Sequence, residues 1–409
     1  MTAVQAGDGA AIRWLRTPEA IRARCRLLFD AALAGRLTHC RLDLAQLGQA
    51  VDRVIAVTRE SYPDLDIPYH SRWRHFTAGG IDRWAALTKA VGADRREVAR
   101  VAADLAIVSV LLDAGAGDAW RYREHESGET HARSEGLAVA SLRMFEQGAF
   151  STNGAPCALD AEGLEKLDRT ALARGFQVSD SNPLVGLDAR VSLLQALGRA
   201  MRHRPDVFGT PARFGRVIDH VLDGSSDIVS ASRVLTLVLE ALADIWPFGM
   251  RFQGVNIGDV GLHRAARDQG PTDGLVPFHK ISQWLTYSLL EPLEWAGARL
   301  TDLNALTGLP EYRNGGLFVD CGVIRVERGD LVEPFDPRST LVVEWRALTV
   351  ILMDMLAEKV RAQLGLDADR LPLARLLQGG TWTAGRRIAF ERRPSGAPPI
   401  RVATDGTTF

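Results

Sequence analysis

TLVVEWRALTVILMDMLAEKVRAQL, residues 340–364, decides the fold class. Its apolar stripe Leu341, Trp345, Leu348, Leu352 and Met355 steps by four, three, four and three, which puts all five on one face of a helix. The same helical period appears in Ile21, Cys25, Leu28 and Phe29, and in Leu44, Leu47, Val51, Val54 and Ile55. Further helices are expected over 94–113, 132–147, 189–202, 211–223, 229–245 and 278–293. Glycines or prolines close several of them. Residues 62–82 carry two prolines and a Gly pair and read as ordered loop. Only the tail alternates. Arg387–Phe390 and Ile400–Val402 read as short strands joined by a Pro/Gly-rich turn, a small β-hairpin over 384–409. No fixed-period repeat or low-complexity linker divides the chain. The expectation is one mainly helical domain over residues 1–409 with that small C-terminal β element.

Against this background two stretches stand out. LTGLPEYRNGGLFVDCG, Leu306–Gly322, sets Glu311, Tyr312, Arg313 and Asp320 among five Gly and Pro residues and a set of large apolar ones. Gly and Pro disfavour a plain core helix, and Leu317, Phe318 and Val319 disfavour a plain surface loop. The mixture reads as a turn that presents carboxylates and a guanidinium from a dry wall. Shortly before it, VPFHKISQ places His279 and Lys280 at the start of a helix, where backbone N–H groups meet anions. Gln283 follows four residues later on the same side.

A 409-residue chain with 46% hydrophobic and 24% charged residues can bury a full core. Its formal net charge of −1 supplies no field for nucleic acid or an anionic membrane. No apolar run approaches the roughly 18 residues of a membrane span, and no signal pattern opens the sequence. A cytoplasmic location is expected, with neither nucleic acid nor membrane as partner. The cysteines, Cys25, Cys40, Cys157 and Cys321, form no C-x-x-C pair and read as free thiols. P-loop, nucleophile-elbow, H-E-x-x-H and strand-linked dinucleotide motifs are all absent.

Two further candidates lie in the first half. IPYHSRWRHF brings Arg72 and His75 together with Trp73, a set suited to phosphates or planar rings, or equally to a structural cation–π cluster. The five-residue spacing of its histidines, His70 and His75, does not fit a helical metal pair. Asp113 ends an apolar helix, where the helix dipole disfavours a negative charge, so a functional reason gains weight.

Taken together, PYHSRWRHF, LLDAGAGDAWRY, RSEGLAVASLRMF, VPFHKISQWLTYSL and LTGLPEYRNGGLFVDCGV resemble an uncharacterised-domain family of uracil catabolism in fungi and bacteria, over about residues 12–409. Members are encoded beside a GTP-cyclohydrolase-II-like protein, which the resemblance implies as a possible partner. It also implies a cytosolic role in degrading uracil through a ribosylated intermediate. The C-terminal half is distantly similar to the queuosine-salvage nucleoside hydrolases, which resemble helical DNA glycosylases. The matching positions are Pro277, Phe278, Lys280, Gln283, Leu306, Thr307, Tyr312 and Arg313, whereas His279 stands where that pattern has Tyr and Glu311 where it has Asp.

The reaction these resemblances imply is N-glycoside cleavage, hydrolysis of ribosylurea or its phosphate, with no cofactor and no metal. It requires a carboxylate near the sugar, an acid for the leaving nitrogen and cations for a phosphate. Glu311, Asp320 or Asp113 would supply the carboxylate. Lys280, Arg313 and Arg72 would hold a phosphate, with Gln283, Tyr312, Trp73 and His75 lining the substrate. His279 would act as acid or bind the urea or uracil edge. Two alternatives stay open: a metal-dependent amidohydrolase on an opened pyrimidine, and a non-catalytic partner of the cyclohydrolase-like protein.

Overall fold

The protein is mainly helical, as its apolar periodicity predicts. A computed structural model describes residues 3–92, 94–223, 227–247, 249–327 and 334–407. The chain divides into two compact units. The first holds Met1–His70, Phe248–Gln283 and Asp302–Ala403, and the second holds Ser71–Pro247, Trp284–Thr301 and Thr404–Phe409. Each unit draws on separate stretches of sequence, so no linker composition marks the division.

The first unit is organised on the helix Thr340–Leu364, buried along almost its whole length. Pro18–Leu33, Leu47–Ser61 and Tyr312–Asp320 pack on it. Pro18–Leu33 starts where its sequence says it should: Thr17 accepts the Ala20 N–H, and Pro18 lacks the N–H that a first-turn position leaves unpaired. Its apolar face, Ile21, Cys25, Leu28 and Phe29, is buried. The strands are short. Cys40–Leu42 pairs antiparallel with Ile324–Val326, and Val260–Leu262 with Leu275–Pro277.

Two expectations change here. Among the described residues the tail forms no hairpin: Trp382–Arg392 is a helix, and Val402 makes a single parallel bridge to Phe335. Ala384, Gly385, Ile388 and Ala389 are its buried residues, a helical spacing that the short Arg387–Phe390 window hides. Nor is the Glu311–Asp320 stretch a turn. Tyr312–Asp320 is helical with Gly315 and Gly316 inside it, because their missing side chains make room for Trp345 and Pro399.

In the second unit, Arg95–Leu111 is capped by Asp94 and buried from Ala99 almost without interruption. Arg133–Glu146 packs on it. Its buried Asp104 is held by Arg213 Nε at 2.6 Å and by the Gly215 N–H at 2.6 Å. Among the described residues no helix is long and apolar enough to cross a membrane.

Candidate functional site

The hairpin Val260–Leu262/Leu275–Pro277 builds the site in the first unit. Its register sets Val260 opposite Pro277, so Asp259 lies beside the chain as it enters the helix Lys280–Trp295. The Asp259 carbonyl accepts the Phe278 and His279 N–H groups, and its carboxylate accepts the Lys280 N–H at 3.0 Å. Arg346, from the central helix, grips the same carboxylate with two bonds of 2.7 Å each. The guanidinium carbon lies 4.1 Å from the Phe278 ring centroid, and Nε donates to the Pro310 carbonyl at 3.3 Å. Burial opposes the Asp259 charge, but Arg346 and the Lys280 N–H outweigh it and hold the carboxyl down at about 2.

Glu311 opens the neighbouring helix. Its oxygens accept the Arg313 and Asn314 N–H groups, both at 2.7 Å, so it is the helix cap. It is also buried, and burial pushes its carboxyl above the ordinary range despite those two bonds and the charges of Lys280 and Arg313. Gln283 fastens the two motifs together. Its amide donates to Thr307 Oγ1 at 2.6 Å, and its carbonyl accepts the Thr307 N–H at 2.9 Å.

The other predicted residues of this unit have defined partners. His279 sits at φ 49°, the left-handed region, with Nε2 2.9 Å from the Leu15 carbonyl. A carbonyl only accepts, so Nε2 carries the proton. Burial lowers the imidazole pKa, which keeps the ring neutral. The Arg313 guanidinium lies 4.9 Å from the Tyr312 ring centroid and donates to the Gly396 carbonyl. Asp320 ends the helix that Glu311 begins, about 13 Å along the axis at 1.5 Å per residue. Two bonds of 2.8 and 2.6 Å engage it with Arg393. Glu311 and Asp320 therefore cannot act on one reacting atom.

Arg72, Trp73, His75 and Asp113 belong to the second unit. Arg72 is fully buried, 2.7 Å from the Asp113 carboxylate and 2.7 Å from Ser109 Oγ. Ser134 Oγ donates to the same Asp113 oxygen at 2.7 Å. Trp73 donates to the Ser288 carbonyl and sits against Trp84 and Trp295, with ring centroids 4.8 and 5.0 Å away. His75 meets the Trp284 ring edge-on at 5.7 Å.

Sequence reasoning missed Asp259 and Arg346. The signal was present: an arginine in the middle of the most apolar helix has to find a partner, and NIGDVGL flanks an acid with two glycines just before the His-Lys motif. Among the described residues no three or more His, Cys, Asp or Glu side chains group as metal ligands would. The four cysteines are free.

Fold and site define a mainly helical protein with a buried glutamate and an arginine-clamped aspartate at two adjoining helix starts. The chain belongs to the family described as Protein of unknown function (DUF1688), whose model matches residues 14–409. It is similar to Protein urg3 of Schizosaccharomyces pombe, 38% identical over 95% of this chain and 96% of that one. It is likewise similar to Uracil catabolism protein 4 of Lachancea kluyveri, 35% identical over 97% of this chain and 99% of that one.

Proposed function

We propose that this chain acts in uracil catabolism as an N-glycosidase, hydrolysing ribosylurea or its phosphate to urea and ribose or ribose phosphate. The name of the Lachancea kluyveri relative, Uracil catabolism protein 4, supports the uracil-catabolic setting. The observation that carries the reaction is Glu311, a buried carboxyl group at a helix start whose pKa burial pushes above the ordinary range, beside the charge of Lys280. An urea nitrogen is a poor leaving group unless it is protonated as the bond to the sugar breaks. Glu311 supplies that proton and later receives one from the attacking water. Lys280 meets the oxygens of the sugar or its phosphate. His279 is not the acid, because its one ring proton is already given to the Leu15 carbonyl.

The test is urea release from ribosylurea and, separately, from its phosphate. Urea with a free or phosphorylated sugar supports the reading and identifies the preferred form. No urea from either substrate, with metal added and with chelator, overturns it and favours a binding role beside a cyclohydrolase-like partner.

A further inference from the structure

Glycoside cleavage needs two groups with opposite habits, an acid that holds a proton and a carboxylate that stays charged while the sugar becomes cationic. Glu311 fills only the first role. We infer that Asp259 fills the second: clamped by Arg346 and seated at the start of the Lys280–Trp295 helix, it is the carboxylate that faces the developing positive charge of the sugar ring. This deepens the N-glycosidase reading and rests on it.

Three observations support the pairing. Asp259 and Glu311 share their surroundings, since Arg346 holds the Asp259 carboxylate and the Pro310 carbonyl, one residue before Glu311. Lys280 also connects them, its N–H on Asp259 and its charge acting on Glu311. Finally, the Asp259 side chain is 34% exposed while Arg346 behind it is 5% exposed. The arginine is therefore walled in, and the carboxylate keeps an open side. Its Oδ1 has a second lone pair beyond the bond to Arg346, while Oδ2 also accepts the Lys280 N–H. Arg346 and the Lys280 N–H hold Asp259 in its charged form, whereas burial pushes the Glu311 carboxyl up against the charges of Lys280 and Arg313.

The step balances as follows. The bond from the sugar C1′ to nitrogen breaks, its electron pair goes to the departing urea nitrogen, and that nitrogen takes the Glu311 proton. Water adds to C1′ and its proton returns to Glu311. Asp259 is unchanged throughout and neutralises the ring charge in between. Ribosylurea and water become ribose and urea.

The probe is protonated iminoribitol, a ribose ring with nitrogen in place of the ring oxygen, which carries the positive charge of the ring without reacting. Calorimetry should show wild-type protein binding it and Asp259→Asn binding it at least about tenfold more weakly. Uncharged ribose should bind both proteins alike. Equal iminoribitol affinity in the two proteins, or no binding to wild type, overturns the inference. If Asp259→Asn does not fold, iminoribitol binding to Glu311→Gln, in which Glu311 no longer titrates, is followed from about pH 8 to about pH 4: a constant affinity supports an always-charged partner, and a loss centred above about pH 5 overturns it. Binding is read without turnover. Protein that releases no urea but loses iminoribitol on Asp259→Asn would refute the proposed substrate and leave the assignment of Asp259 standing.

Discussion

The Trp345 indole occupies the space that a side chain at Gly315 would need: a Cβ there would lie 2.6 Å from the ring nitrogen and from Cε2. Real carbon atoms do not approach so closely, and Trp345 is buried on the central helix. Gly315 is the reason the helix that starts at Glu311 can lie against the helix that carries Arg346.

Gly315→Ala should therefore destabilise the first unit by about 1–3 kcal/mol through overpacking. Gly48, near the start of Leu47–Ser61, has nothing within 4 Å of the same position. There alanine should be neutral or stabilise by up to about 1 kcal/mol. Urea denaturation of the two variants checks the contrast.

Gln283→Leu removes both bonds to Thr307 and leaves a buried N–H without a partner. A loss of about 1–3 kcal/mol follows. Urea release should fall as well, because Thr307 begins the segment that delivers Glu311. A variant with wild-type stability and wild-type turnover would show that the fastening is idle.

Glu311→Gln and Asp320→Asn should separate cleanly in steady-state kinetics. The first removes the acid and should lower kcat by roughly 100-fold or more. The second, about 13 Å from Glu311 along the helix, breaks the ion pair with Arg393 and should lower stability by about 1–3 kcal/mol with kcat within a few-fold of wild type. In the wild type, activity should fall as rising pH removes the Glu311 proton, with an apparent pKa above the ordinary carboxylate value because burial favours the protonated form.

The folded protein holds the Asp259 carboxyl at about 2, against 3.8 for the unconstrained group. Its contribution to stability is present above the unfolded value and is lost as pH falls from about 4 towards about 2. Denaturation midpoints of wild type over that range should decline more steeply than those of Asp259→Asn. Parallel slopes would show that Asp259 is not held in its charged form.

In the second unit, Asp113→Asn leaves the fully buried Arg72 without its counter-ion and should cost about 3–5 kcal/mol. Adding Arg72→Met to that variant should recover much of the loss, as removal of both partners of a buried pair often does. Thermal unfolding of the single and double variants measures the coupling.

The sequence by itself determined the helices. Thr340–Leu364, Arg95–Leu111, Arg133–Glu146 and Leu187–Arg202 follow from apolar residues recurring at the helical period, a local property that needs no knowledge of neighbours. It also singled out His279, Lys280, Gln283 and Glu311, because polar residues among glycines and large apolar residues are unusual wherever they fold. The tertiary structure decided the rest. The helix through Gly315 and Gly316 depends on how near Trp345 and Pro399 come, which no local pattern records. The Trp382–Arg392 helix in place of a hairpin likewise became visible only in which of its faces is buried. Asp259 and Arg346 are 87 residues apart and meet because a hairpin and a central helix bring them together. The difference between Glu311, whose carboxyl is pushed up, and Asp259, whose carboxyl is held down, is a matter of burial and neighbouring charge. Those arise when distant segments pack, and residue identity alone does not contain them.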